Sequence, residues 1–451
     1  MQKLLLPPTL SWLAALLLAS LPTYLVAQTL QTNTHTKDQA STPMLAARLS
    51  TDKVINTTVG SRLSLQEAIR LAQQYHPDIA AAKREITATE ASLRQAGLLR
   101  NPELVAMMED ARSENRSTTW QLNQAIELGG KRRARLSVAE SGLNIAKIDF
   151  TMMLNEIRAT VTTRFNEVLI AQERQRLALT SLELTQRAYN AAKKQVTVGK
   201  VAPLEESKAR VAQSSAQLEL AKSETELMIA RQRLQSVIGN NANQSTEFLG
   251  HFDTLPLLPD SLDLEKQLTQ SPQIIKAKIE VEKRAAMADV ERSKQIPDVT
   301  VSLGAKREQL TGRQQPMVGI AIPLSLFDRN QGNVQETISR LDKAKDELQS
   351  TQIRVRNELM QAHQRLRFAI DEAQLSKTDV LPNAQNAFEL ALKGFEFGKF
   401  NFLDVLDAQR SLLAAKAQYL RSCGDAHLAA ADIQRLLNDQ AFEFYPATDS
   451  F

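Results

Sequence analysis

Between Lys131 and Thr197 the chain has no proline, and its apolar residues fall on two combs with a spacing of seven. Leu154, Val161, Val168, Leu182, Tyr189 and Val196 form one, and Leu136, Leu143, Phe150 and Ile157 the other. Two such seams predict one long helix packed on two sides, as in a barrel of helices. At about 1.5 Å per residue it would run roughly 100 Å. A return helix follows from Pro203 to about Ile238, and a first helix, Leu63 to about Leu98, precedes it with a break at His76-Pro77. Both are half as long, so stacked end to end they match the long one. Leu262 to Gln295, Asn330 to Phe397 and Phe402 to Asn438 repeat the same arithmetic.

The correspondence extends to single residues. Gly199-Lys200 matches Gly398-Lys399, Leu204 matches Leu403, and Glu205 falls where Asp404 does. Pro77 pairs with Pro272, Pro102 with Pro297, and Ile126-Glu127-Leu128 with Ile322-Pro323-Leu324. This is an internal duplication of about two hundred residues, too long and with too few copies for a stacked array. The matched glycines supply positive-φ stops at tight helix-to-helix turns. After the second turn Asn401 is a candidate N-cap, and Asp404 and Asp407 share one face of the helix that begins near Phe402. Those two acids either line something or merely satisfy the helix N-terminus.

Between the helices of each repeat the period changes to two. Glu103 to Glu109 forms one strand, followed by a polar loop from Asp110 to Ser117, and Trp120, Leu122, Ile126 and Leu128 mark the next. In the second repeat Val299, Val301, Leu303 and Ala305 alternate with polar residues, then Val318, Ile320, Ile322 and Leu324. Each strand has one apolar and one polar face and is long enough to cross a bilayer when tilted. Four strands cannot close, and an open edge cannot sit in lipid, so several copies must share one barrel. The alternative is a soluble four-stranded sheet.

Composition adds little to that picture and removes several others. The chain has 451 residues, 43% hydrophobic and only 5% aromatic, with a net charge of +4 spread over interspersed signs. No basic run exceeds Lys131-Arg132-Arg133, so there is no nucleic-acid footprint. Lys3, an apolar run around Leu13 to Leu18 and Leu25-Val26-Ala27 read as a signal peptide over 1–27. An extended arm over 28–61 follows, then repeat 1 over 62–240, an equatorial linker over 241–261, repeat 2 over 262–438 and a tail over 439–451. No later stretch is apolar enough for a transmembrane helix. Cys423, the only cysteine, excludes an internal disulfide and reads as a helix-packing residue. His76 reads as solvent-facing before its proline. The histidines at 35, 76, 251, 363 and 427 and the methionine pairs Met107-Met108 and Met152-Met153 lack ligand spacing, so no metal site and no cofactor are expected. Gly129-Gly130-Lys131-Arg132 follows the second strand and reads as a turn whose basic residues snorkel to anionic headgroups. Enzyme motifs are missing: there is no Walker loop, Gly-x-Ser-x-Gly or His-Glu-x-x-His.

Signal peptide, duplicated helix-strand-strand-helix-helix units and the motif Phe397-Gly398-Lys399 to Leu403-Asp404-Val405-Leu406-Asp407-Ala408 together resemble the TolC family of outer-membrane efflux ducts, over about Leu63 to Asn438. Ile126-Glu127-Leu128-Gly129-Gly130-Lys131-Arg132 is similar to the branch serving exporters of the cobalt-zinc-cadmium type. The resemblance implies a mainly α fold with a small β part. It implies a homotrimer, whose three times four strands make a twelve-stranded outer-membrane β-barrel continued by a twelve-helix periplasmic α-barrel. It implies as partners a periplasmic adaptor (membrane fusion protein), an inner-membrane pump of the RND type and outer-membrane lipid. The adaptor-docking tips would be the turns at Gly199, Lys200, Gly398 and Lys399. Asp404 and Asp407 match the family's acidic constriction, and rings of carboxylates favour cations and crowd one another's charge. Phe395 and Phe400 stand where polar and basic residues latch the gate of the family's best-known member, so a phenylalanine ring sealing by dewetting is the expectation here. The alternatives are a duct for drugs or type I secreted polypeptides, or a secreted coiled-coil scaffold without a pore.

Overall fold

A computed structural model describes residues 62–110, 115–239, 247–250 and 252–437. The signal peptide over 1–27, the arm over 28–61 and the tail over 439–451 lie outside the described residues, as does part of the linker. In repeat 1, β1 (Arg62–Ser64) leads into α1 (Leu65–Tyr75) and α2 (Pro77–Ala96), then β2 (Glu103–Glu109) and β3 (Ser117–Ile126), then α3 (Lys131–Thr197) and α4 (Pro203–Ile238). After β4 (Glu247–Leu249), repeat 2 runs through α5 (Ser261–Leu268), α6 (Pro272–Ser293), β5 (Val299–Glu308), β6 (Gln314–Ala321), α7 (Gln331–Leu375), α8 (Leu381–Glu396) and α9 (Phe402–Leu436).

The long helix has its expected bounds, and both half-length partners lie against it: α1, α2 and α4 all pack on α3. The seven-residue combs explain why. Val161, Phe165 and Val168 are fully buried among Ile69, Ile79, Leu234 and Ile238, which makes the core of repeat 1. Repeat 2 builds an equivalent core from Leu264 on α5, Leu359 and Leu366 on α7 and Ile433 on α9. α6 and α9 also pack on α3, so the repeats share that helix.

Several features differ from the sequence-based expectation. The proline breaks are built unlike each other, and His76 is not solvent-facing. Its side chain is 14% exposed, and its Nδ1 accepts from the Asp78 N–H at 3.3 Å to cap α2. At Ser271-Pro272 the Ser271 hydroxyl instead donates to the Leu436 carbonyl at 2.8 Å. The linker is not all loop, because β4 pairs in parallel with β1, and Phe248 sets its ring edge-on against Phe165 at 6.0 Å. The fourth strand ends at Ala321 and begins at Gln314, earlier than the apolar alternation suggests, since Pro323 has no N–H to give and restrains Ile322 before it. Leu128 likewise falls beyond β3.

The long helix of repeat 2 is also interrupted, by a π-turn at Ser376–Val380 between α7 and α8. Pro382 accounts for it: the ring collides with the carbonyl four residues back, Thr378, and the wider turn makes room. Repeat 1 has no proline there and no interruption.

The sheet order is β2-β3-β5-β6, antiparallel throughout, with β2 and β6 as free edges. Its register aligns Leu104, Leu122, Leu303 and Val318 in one row and Ala106, Trp120, Ala305 and Pro316 in another. These rows form one apolar, solvent-facing surface; Thr119, Gln121, Asn123, Ser302, Lys306 and Gln315 face the other way. Pro316 is tolerable because β6 is an edge. Among the described residues no helix is long and apolar enough to cross a membrane.

The shared helix should dominate stability. Phe165→Ala removes a ring packed against Phe248 in the core of repeat 1, and thermal unfolding followed by circular dichroism should show a loss of about 3–5 kcal/mol.

Candidate functional site

The two helical turns at the far end from the sheet share one geometry. Gly199 and Gly398 both have φ of 72°, the Lys200 N–H reaches back to the Gln195 carbonyl at 2.9 Å, and Lys399 does the same to Gly394 at 2.7 Å. Left-handed glycine closes each helix because any Cβ would strain that conformation. Beyond the turns the repeats diverge. α4 starts on Ala202-Pro203 without a side-chain cap, whereas α9 starts on a reciprocal capping box. There Asn401 Oδ1 accepts from the Asp404 N–H at 3.0 Å, and Asp404 Oδ2 accepts from the Asn401 N–H at 2.9 Å.

Asp404 is therefore a capping residue within its own chain, and both Asp404 and Asp407 remain exposed. Their placement follows from packing: Phe402, Val405 and Leu406 turn inward on Phe388, Ala391 and Phe395, which leaves the acids on the opposite side of the turn. Phe395 is buried with its ring 5.7 Å from that of Phe402, so within its own chain it is a core residue and not a free gate residue. Phe400 is 51% exposed and packs against Gly394, where a Cβ would come within 2.0 Å of its ring. Phe397, 78% exposed, is the more available aromatic at this turn, and its only sequence signal is its place just before Gly398. Lys200 and Lys399 are exposed.

At the other end, the glycine turn after β3 holds the sheet to the helices. Gly129 and Gly130 both have positive φ, and a Cβ on Gly129 would meet the Ser293 carbonyl at 2.8 Å. This sharp entry lets Lys131, the first residue of α3, pair with Asp298 at the start of β5. Arg100 joins Asp298 at 3.4 Å and Glu127 at 3.3 Å, and Arg135 grips Glu127 with both guanidinium nitrogens at 2.6 and 3.0 Å. Arg132 donates from Nε to the Gly97 carbonyl at 2.6 Å. Lys131 thus points into the junction and not outward as expected, whereas Arg132 stays exposed while its Nε holds the Gly97 carbonyl. The reason is local: Asp298 and Glu127 are only 16% and 6% exposed in their side chains and require counter-charge. Repeat 2 makes the equivalent join on one carboxylate, Glu291, which Lys294 holds at 2.6 Å from the end of the same helix. Asn330, itself at φ 58°, donates from Nδ2 to Glu291 Oε2 at 2.7 Å.

The network sets the protonation of its acids. The Arg135 hydrogen bonds hold the Glu127 carboxyl below its ordinary range. Burial pushes Asp298 up, but the Lys131 hydrogen bond and charge outweigh it and hold that carboxyl low as well. Elsewhere, burial pushes the Cys423 thiol up to about 11, as suits a helix-packing residue with no thiolate chemistry. Among the described residues no group of three or more His, Cys, Asp or Glu is placed to hold a metal ion.

A free-edged sheet with an apolar outer face, carried on two paired helical hairpins, defines a channel-forming subunit of the outer membrane. The chain belongs to the outer membrane efflux protein family, whose model matches residues 68–240 and 264–439, once in each repeat. It is 44% identical to the cobalt-zinc-cadmium resistance protein CzcC of Cupriavidus metallidurans over 83% of this chain and 90% of that protein. It is 26% identical to the nickel and cobalt resistance protein CnrC of the same species, over 64% of this chain and 69% of that one. The open state of the MtrE outer membrane channel of Neisseria gonorrhoeae shares the fold with a TM-score of 0.70 at 18% identity, covering 82% of this chain and 88% of that one.

The junction should be acid-sensitive. Because the folded pKa values of Glu127 and Asp298 lie below their unfolded ones, their contribution is complete above about pH 4–5 and is lost as pH falls through the folded values. Glu127→Gln should cost about 2 kcal/mol at pH 7, less than a fully buried pair because Arg100 is half exposed, and should flatten the acid limb of a melting-temperature profile.

Proposed function

We propose that this outer-membrane efflux protein is the exit duct of a tripartite heavy-metal exporter. Three copies would close the four-stranded sheets into one twelve-stranded barrel, and a periplasmic adaptor would dock on the tips at Gly199, Lys200, Gly398 and Lys399. An RND-type pump in the inner membrane would supply the energy. The cargo is a divalent cation of the cobalt, zinc or cadmium type. The observation that carries this reading is the 44% identity to a cobalt-zinc-cadmium resistance protein across 90% of its length. Physical support comes from the free edges of β2 and β6, which lipid does not tolerate unpaired.

At the periplasmic entrance Asp404 and Asp407 would supply stacked carboxylate rings. Rings of fixed negative charge lower the barrier for cations and raise it for anions. Phe400, held over Gly394, would narrow the same opening. The duct works by passage and not by chemistry: metal choice lies with the pump, and no ion is held tightly on the way.

Selectivity of single channels in planar bilayers tests the assignment. Asp404→Asn with Asp407→Asn removes the charge yet keeps an acceptor for the Asn401 cap, so cation preference should fall while thermal stability holds. Asp404→Ala should additionally cost about 1 kcal/mol through the lost cap. A double Asn variant with unchanged cation preference would remove the aspartates from the entrance, and a protein that forms no channels would defeat the duct itself.

A further inference from the structure

Away from both ends of the molecule, α3, α4 and α9 together line a cleft of about 470 Å³. Its walls come from both repeats, because α4 belongs to the first hairpin and α9 to the second. Asn166 on α3 lines it and is 7% exposed, yet its Nδ2 has no hydrogen-bond acceptor. A buried amide donor left unpaired is costly and is uncommon unless something occupies the space before it. Ile170, Ile229 and Leu428 supply apolar surface beside it.

The charges around the cleft are unevenly paired. Glu167 is held by Arg164 at 2.9 Å, and Glu226 faces Arg174 at 3.6 Å. Asp425 lies within the field of Arg421 and of Glu372, and burial raises its carboxyl toward the neutral form. Arg233 and Arg421 form no ion pair among the described residues. What the cleft presents is therefore a donor at depth, the exposed guanidinium groups of Arg233 and Arg421 at its walls, the second of them near Asp425, and apolar sides between them. Ligand sites of this size are mostly apolar with a few fixed polar groups.

We propose that this cleft is a binding site for a small amphiphilic carboxylate, whose apolar body lies on Ile170, Ile229 and Leu428. The carboxylate accepts from Asn166 Nδ2 and from the guanidinium of Arg233 or Arg421. Guanidinium suits this role because its planar donors match a carboxylate edge. A ligand seated here touches the return helices of both hairpins at once, so it ties the two repeats together across α3. By mass action it stabilises that arrangement over any in which α4 and α9 shift relative to each other.

The experiment uses full-length, detergent-solubilised protein and 4-fluorophenylacetate as the probe, with its ¹⁹F line width as the signal. Saturable broadening is expected, weakened at least tenfold by Asn166→Leu and, independently, by Arg233→Gln with Arg421→Gln. Neutral 4-fluorophenethyl alcohol should not compete. Melting curves without probe check that each variant folds, and the arginine variant carries the test should Asn166→Leu unfold. Broadening that does not saturate, or that is equal in the folded variants, would overturn the site. Equal competition by inorganic phosphate would overturn the amphiphilic part, since charge alone would then be read. A sharp line throughout would leave Asn166 bonded to water and the cleft without a ligand.

Discussion

The fold depends on the burial of one stripe of α3. Val161, Phe165 and Val168 have almost no contact with solvent, and helices from both repeats pack on the helix that carries them. Most of the stability of a helix in a folded protein comes from tertiary packing along its length and not from intrinsic propensity. The half-length helices follow from that demand. α2 and α4 divide the length of α3 between them, and the break at His76-Pro77 turns α1 toward the same core. Duplication then solves the problem twice with different residues, Leu359, Leu366 and Ile433 in place of Val161, Val168 and Leu234.

The copies have not been used equally. At the sheet end, repeat 1 closes its junction with a charged network of Arg100, Glu127, Lys131, Arg135 and Asp298, while repeat 2 uses the Asn330 amide on Glu291. Cations paired across a strand-to-helix turn resist bending, because several charges would have to be desolvated anew in any other arrangement. The long helix of repeat 2 also contains a π-turn, whereas that of repeat 1 runs unbroken. At the tips the roles reverse: α9 begins with a full capping box and a buried phenylalanine pair, and α4 begins with a bare Ala-Pro. One hairpin is anchored more firmly at the sheet and the other at its turn.

Function in this family rests on surfaces that a single chain leaves unfinished. The apolar rows through Leu104, Leu122, Leu303 and Val318 and the edges of β2 and β6 have no strand partner among the described residues. Asp404 and Asp407 reach solvent only because the inward face of α9 is occupied by Phe402, Val405 and Leu406. The charged face of this turn is thus a by-product of how the tip is packed.

The sequence by itself determined the helices, the duplication and the turns. The bounds of α3 at Lys131 and Thr197, the start of α4 at Pro203 and the positive φ at Gly199 and Gly398 were all legible, because periodicity and glycine act locally. Only the tertiary structure decided which polar residues meet. Nothing near Lys131 in the chain announces Asp298, and nothing near Ser271 announces the Leu436 carbonyl. From spacing alone Asp404 could be read as lining something or as a cap, and the structure gives it the cap while leaving its charge exposed. The same holds for Phe395, which burial against Phe402 makes a core residue, and for the β1–β4 pair, whose strands are too short to show a period. Local patterns specify where the backbone turns, but partners distant in sequence are chosen by desolvation and packing, which exist only once the helices have come together.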